Sequence, residues 1–217
     1  MNMKKIVGVV ALSCLGFINT TFAQNDPKAK TILESASNKI NSLSSVKANF
    51  TLSLLGANGK VKEKKSGTFL MKGNKYRINI SGQEIICDGK TIWTYVKETN
   101  EVQISDFNPN DQSISPSKLF TNFYDKEYNY KYSGQKTISG KTCDVINMSP
   151  SDKSKNIRNV ELHIDKTNTL TGGLITEKNG NQFIYSISGF TSNVTVADNT
   201  FTFDSKKYPG VEVVDLR

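Results

Sequence analysis

The chain holds one histidine, three cysteines and 20 acidic side chains in 217 residues, so few of its groups could do chemistry. His163 lies in Glu161-Leu162-His163-Ile164-Asp165, where alternation predicts a solvent-facing place on a strand rather than a general base. A lone imidazole excludes a His-rich metal centre, and three Cys give a zinc site too few ligands. No Gly-x-Ser-x-Gly elbow, phosphate loop or His-Glu-x-x-His motif occurs. Acyl transfer, nucleotide chemistry and zinc hydrolysis therefore lack their usual parts. Asp88 and Asp198 read as turn or cap residues. No catalytic residue, metal site or cofactor is expected.

The start of the chain reads as an export signal. Met1-Asn2-Met3-Lys4-Lys5 is a short positive start, Ile6 to Ile18 is apolar, and Asn19-Thr20-Thr21-Phe22-Ala23 ends in small and polar residues. This layout predicts a secretory signal peptide over 1–23, cut after Ala23, with a single domain over 24–217. Cys14 is a poor lipid-modification site: Ala11-Leu12-Ser13 has no large aliphatic residue three positions upstream. Losing Lys4 and Lys5 leaves 194 residues with 26 basic and 20 acidic groups. Export makes nucleic acid an implausible partner for this charge, and a solvated basic surface is the plainer reading. The 36% hydrophobic and 22% charged content fits neither a disordered chain nor a bilayer-embedded one.

Patterning then gives the elements. Asp26 and Pro27 open a helix whose Ala29, Ile32, Leu33, Ala36, Ile40 and Leu43 fall on one face. From Val46 the period becomes two. Short alternating runs, separated by Asn-Gly, Ser-Gly and Asp-Gly turns, predict ten or eleven strands in an antiparallel meander. Ser115-Pro116 interrupts it with a short helix bearing Leu119, Phe120 and Phe123. Cys87 and Cys143 fall several strands apart, beyond disulfide reach unless the sheet curls, and are expected as two unpaired buried thiols. The predicted class is α+β, mainly β: a large antiparallel sheet that tends to curl, with helices over one face. One long and one short helix must cover a large apolar sheet face. Either bulky side chains fill the interior, or an apolar cavity remains for a ligand.

Several segments together resemble a known family across essentially the whole mature chain. They are Val46-Lys47-Ala48-Asn49-Phe50-Thr51, Gly67-Thr68-Phe69-Leu70-Met71-Lys72, Asp88-Gly89-Lys90-Thr91-Ile92-Trp93-Thr94-Tyr95, and Phe201-Thr202-Phe203 running to Pro209-Gly210-Val211-Glu212-Val213. The sequence resembles the LolA family of periplasmic outer-membrane lipoprotein carriers. That resemblance implies a half-barrel, an incomplete antiparallel β-barrel covered by lid helices, whose hydrophobic cavity takes lipoprotein acyl chains, without a cofactor and without catalysis. It implies acylated lipoproteins as cargo, an inner-membrane ABC transporter complex that releases them, an outer-membrane acceptor, and a monomeric carrier. The residues expected on the cavity side are Phe50, Leu52, Leu54, Phe69, Met71, Tyr76, Ile78, Ile80, Trp93 and Tyr95. Ile32, Leu33, Ile40, Leu119, Phe120 and Phe123 are expected in the lid.

Where family members often carry an Arg-Pro latch this chain has Gly73-Asn74, so no latch residue is assigned; Lys75 and Arg77 are the nearby cations. Three rival functions stay open: an outer-membrane lipoprotein acceptor of the same fold, a regulator that senses lipoprotein, and a periplasmic hydrolase.

Overall fold

Helix α1 (Pro27–Ser42) starts where Asp26-Pro27 predicts it in a computed structural model that describes residues 25–108 and 128–217. Asp26 Oδ1 accepts from the backbone N–H groups of Lys28 at 2.8 Å and Ala29 at 3.3 Å, satisfying two donors that the first helical turn leaves free. Ala29, Leu33, Ser37 and Ile40 are its buried residues, at the spacing of one helix face.

Twelve strands follow among the described residues, one more than the upper expectation. They are β1 (Val46–Leu55), β2 (Val61–Lys72), β3 (Lys75–Ile80), β4 (Gln83–Cys87), β5 (Thr91–Val96), β6 (Glu101–Asp106), β7 (Tyr128–Ile138), β8 (Lys141–Pro150), β9 (Ile157–Asp165), β10 (Leu170–Glu177), β11 (Gln182–Ser192) and β12 (Glu212–Asp215). Tight turns drive the local pairing. Between β3 and β4, Ser81 and Gly82 both take positive φ, +29° and +84°, the type I′ arrangement whose twist suits a two-residue hairpin. The sheet order is β12-β6-β5-β4-β3-β2-β1-β11-β10-β9-β8-β7. It is one large, open, curved sheet of the mainly-β class expected.

Two junctions depart from a pure meander. The β1–β11 pair joins its two halves, aligning Phe50 with Ile187, Leu52 with Tyr185 and Leu54 with Phe183. The β12–β6 pair is parallel, with Glu212 opposite Glu101. Between β11 and β12 the chain forms two short 3₁₀ turns, Asp198–Phe201 and Ser205–Lys207.

Opposite residues in a pair share a face, so the registers sort side chains onto two sides. On the side facing α1, two buried clusters form. One unites Ala29 and Leu33 with Tyr130, Met148, Leu162 and Tyr185. The other unites Ile40 with Val46, Phe69, Met71, Tyr76 and Ile78. The helix thus spans both halves of the sheet. On the opposite side the C-terminal segment packs across β3 to β5. Tyr208 stacks on Phe203 at 4.6 Å between centroids and meets Tyr95 at 4.5 Å.

Cys87 and Cys143 are free and buried, as expected. Seven strand steps separate β4 from β8 in the sheet order, far beyond disulfide reach. The expected leader over 1–23 and the expected helix carrying Leu119, Phe120 and Phe123 lie outside the described residues.

Candidate functional site

Eight of the ten expected cavity residues share the α1 side of the sheet. Val46 pairs with Met71, Met71 with Tyr76, and Phe69 with Ile78, which sets these side chains in adjacent rows. Phe69, Met71, Tyr76 and Ile78 are fully covered, whereas Phe50, Leu52, Leu54 and Ile80 are half-buried. Of the expected lid residues, Leu33 and Ile40 are buried on the underside of α1, and Ile32 is half-buried against the first cluster.

Trp93 and Tyr95 require correction. Trp93 lies opposite Ile86 and Ile104, and Tyr95 opposite Glu84 and Val102, all on the side away from α1. There Tyr95 packs on Phe203 and Tyr208 and donates its hydroxyl to Asn100 Oδ1 at 3.1 Å. The run Ile92-Trp93-Thr94-Tyr95-Val96 is apolar in both phases because β5 is half-buried along its whole length, with Ile92 packed on the α1 side and Tyr95 under the C-terminal segment. Alternation carries no phase when both faces are covered.

The structure also adds residues to the apolar face. Phe183, Tyr185 and Ile187 of β11 continue it directly from β1, and Ile175, Leu162, Val160, Ile146 and Met148 extend it across the next strands. Their alternation is plain in the sequence. What the sequence does not carry is the long-range β1–β11 contact that places them beside Phe50, Leu52 and Leu54.

Two glycines let aromatic rings lie flat on this face. A Cβ on Gly67 would fall 2.6 Å from Phe50 Cζ, and one on Gly173 would fall 2.4 Å from Tyr185 Oη. Each ring therefore occupies the space a neighbouring side chain would need. Tyr185 Oη is buried and has no hydrogen-bond partner among the described residues. Burial alone pushes its hydroxyl well above the ordinary phenol pKa. Leaving such a donor unsatisfied costs about 1–3 kcal/mol.

The two nearby cations both serve the other side. Lys75 lies 3.5 Å from Asp198, which Lys72 also meets at 2.9 Å. Arg77 pairs with Glu84 at 2.6 Å and donates to Thr200 O at 2.9 Å. Tyr208 donates its hydroxyl to the same Glu84 carboxylate, and burial, then that bond, push its pKa up to about 12. These groups fasten the C-terminal segment to β3 and β4.

His163 is also corrected, because its side chain is only 13% exposed and its Nε2 lies 2.7 Å from Glu161 Oε1. Lys136 meets the same oxygen at 2.9 Å. Burial raises the cost of ionising Glu161, but its bonds from His163 and Lys136 outweigh that and hold its pKa below the usual value. The trio stands on the side away from the α1 clusters, and the expected turn role of Asp88 holds: its Oδ1 accepts from Lys90 and Thr91 N–H, both at 2.8 Å.

No described helix is long and apolar enough to cross a membrane. A hollow of about 430 Å³ opens at the rim, where Gly67, Ile80 and Tyr95 meet the polar groups of Ser66, Asn79 and Glu84. Its lining side chains Thr68, Asn79, Glu84 and Tyr95 are opposite one another in the register, so it opens on the side away from α1.

The chain is 29% identical over 219 residues to an outer-membrane lipoprotein carrier protein of Histophilus somni (strain 2336), covering 99% of each. It is 31% identical over 186 residues to one of Actinobacillus succinogenes, covering 82% of this chain and 83% of the other. The fold is shared with an uncharacterized conserved protein from Thermus thermophilus, at a TM-score of 0.60 and 12% identity, covering 87% of this chain and 99% of that one. Residues 41–204 match the family described as outer membrane lipoprotein carrier protein LolA, and the chain belongs to that family.

Proposed function

We propose that the mature chain is a soluble periplasmic carrier that shelters lipoprotein acyl chains on the α1 side of its sheet and moves lipoproteins from the inner to the outer membrane. The observation that carries this reading is the half-buried row formed by Phe50, Leu52 and Leu54 with Phe183 and Ile187. These are large apolar side chains in the middle of a sheet, continuous with a buried core, beneath a 16-residue helix. Phe50, Leu52, Leu54 and Ile80 would touch the acyl chains. Phe69, Met71, Tyr76 and Ile78 would form the floor, and Ile32, Leu33 and Ile40 the moving cover. Family membership and the names of the relatives support lipoprotein as cargo.

Energetics favour partial shelter. Each methylene withdrawn from water contributes about 0.8 kcal/mol, so a fully enclosed acyl chain would leave too slowly for a carrier. Half-covered rows under an amphipathic helix give moderate burial that a receiving surface can reverse. In this reading the protein is a monomer without a cofactor. It receives cargo from an inner-membrane ABC transporter complex and yields it to an outer-membrane acceptor.

The test incubates the purified mature protein with inner membranes that contain newly made lipoproteins and the active releasing complex. The expected result is lipoprotein recovered in a soluble one-to-one complex. Lipoprotein that stays wholly in the membrane pellet would overturn the reading.

A further inference from the structure

We infer that the Tyr185 hydroxyl is a hydrogen-bond donor for the carbonyl oxygen that joins an acyl chain to its lipoprotein. The inference rests on the carrier reading and deepens it, because it names a polar contact that the apolar face offers its cargo.

Three observations meet at this atom. Tyr185 is 7% exposed, and its Oη has no partner among the described residues, alone among their buried side-chain nitrogens and oxygens. A folded protein normally satisfies such a group, so an orphan in the middle of a well-packed cluster asks for a reason. The position is also made for it: Gly173 lies opposite Tyr185 in the register, and its missing Cβ leaves the space that the hydroxyl takes. Any side chain on Gly173 would collide with Tyr185 Oη and with Glu161 O, 2.4 and 2.3 Å from the ideal Cβ. Finally, the site is central. Tyr185 pairs with Leu52 across the junction of the two sheet halves and shares its cluster with Ala29 and Leu33 of α1.

The chemistry of the ligand follows from this setting. A lone neutral donor in apolar surroundings suits a lone neutral acceptor on an otherwise apolar ligand. An acyl chain bears one such atom at its head, the carbonyl oxygen of its ester. A phosphate or carboxylate would bring a charge that Leu162, Leu52 and Phe183 cannot solvate. Binding would then exchange an unsatisfied hydroxyl for a satisfied one, an interaction made only when cargo is present.

The test crosses one protein group with one ligand group. Wild-type protein and Tyr185→Phe are titrated with a fluorescent lipopeptide bearing a dipalmitoyl-glyceryl thioether cysteine, and with its dialkyl ether analogue, which has no ester carbonyl. We expect Tyr185→Phe to bind the ester probe roughly 3–10-fold more weakly and the ether probe as wild type does. Equal affinity of both proteins for the ester probe overturns the inference and leaves the carrier reading standing. Equal weakening toward both probes also overturns it, since that outcome reports packing. If wild type binds neither probe, the carrier reading itself fails. Because the variant only deletes an unsatisfied hydroxyl, its Tm should not fall. Should it fold poorly, the ¹³C-labelled ester carbonyl stretch of the bound probe decides on wild type alone. A shift to lower wavenumber than the same ester shows in alkane solvent supports the donor, and an unshifted frequency overturns it.

Discussion

Tyr132 donates its backbone N–H to Asp26 Oδ2 at 3.0 Å, so the residue that caps α1 also holds the outer strand β7. The neighbouring bonds extend the strap: Asp26 N–H donates to Tyr130 O at 3.2 Å, and Tyr130 N–H to Asn25 Oδ1 at 2.9 Å. An open sheet edge that would otherwise invite another chain is thereby occupied by the lead-in to the helix. The helix and the β7 edge are consequently fastened at one point.

That double duty makes Asp26 sensitive to acid. The Tyr132 N–H, more than any other group, holds its pKa below the usual carboxylate value; burial opposes this, and Ala29 and Lys28 N–H add to it. A depressed folded pKa means its stabilisation is complete above the unfolded value, near 3.9, and disappears as pH falls through the lower folded value. Asp26→Asn keeps one acceptor oxygen for two tasks, and Asp26→Ala keeps none. At pH 7 we expect Tm to fall by roughly 2–4 °C for the alanine variant and by less for asparagine. Thermal melts on a pH series should show the wild-type advantage over Asp26→Asn vanishing below about pH 4.

Gly173 and Gly67 test whether the flat-lying aromatic rings are fixed. An alanine methyl at Gly173 would meet a backbone oxygen as well as the Tyr185 ring, so neither can yield without moving a strand. We expect Gly173→Ala to lose about 1–3 kcal/mol in urea unfolding. Gly67→Ala, which meets Asn79 O at 2.3 Å and the Phe50 ring, should lose a similar amount. A neutral result at either site would show that the rings move freely.

How far this site could be read from residue patterns depends on the range of the contacts that make it. Asp26-Pro27, the period of α1 and the turn at Ser81-Gly82 are local signals, and each produced its element. Phe69, Met71, Tyr76 and Ile78 fall on one face as expected because β2 and β3 form a hairpin, whose register is fixed by its turn. Trp93 and Tyr95 do not, because β5 has apolar groups against it from both sides. The Phe183-Tyr185-Ile187 row escapes a local reading because its neighbour β1 is some 130 positions earlier in the chain. Nothing local announces that a C-terminal strand will join β6 in parallel, or that Arg77 will bind Thr200.

Arg77 and Glu84 clamp the C-terminal segment, with side chains 21% and 14% exposed. Arg77→Ala would leave the Glu84 carboxylate half-buried with only Tyr208 for company. We expect a loss of about 1–3 kcal/mol in chemical unfolding. Hydrogen exchange should quicken first over 198–215, while α1 and β8 to β10 keep their protection. The phenol bond adds an alkaline signature. Tyr208 has its pKa raised to about 12, so its contribution is complete below the ordinary phenol value of about 10 and is lost as pH rises toward about 12. The stability difference between wild type and Tyr208→Phe should close across that window.

The contrast between covered and half-covered residues separates floor from binding surface. Phe69 is 1% exposed within the second cluster, and deleting its ring should create a cavity costing about 3–5 kcal/mol. Leu54 stands in the same β1–β2 half of the sheet but is half-buried, paired across from Phe183 near the hairpin end of β1. A glutamate at that position can turn its carboxylate to water, so Leu54→Glu should shift Tm by only a few degrees. A carboxylate beside an acyl chain is nonetheless expensive to bury, and affinity for a diacylated lipopeptide should drop by about tenfold or more. Phe69→Ala should do the reverse, with a large loss of stability and a smaller loss of affinity per folded molecule. If Leu54→Glu lost stability and binding in equal measure, Leu54 would be ordinary core, and the acyl chain would have to lie elsewhere along the Phe50 to Ile187 row.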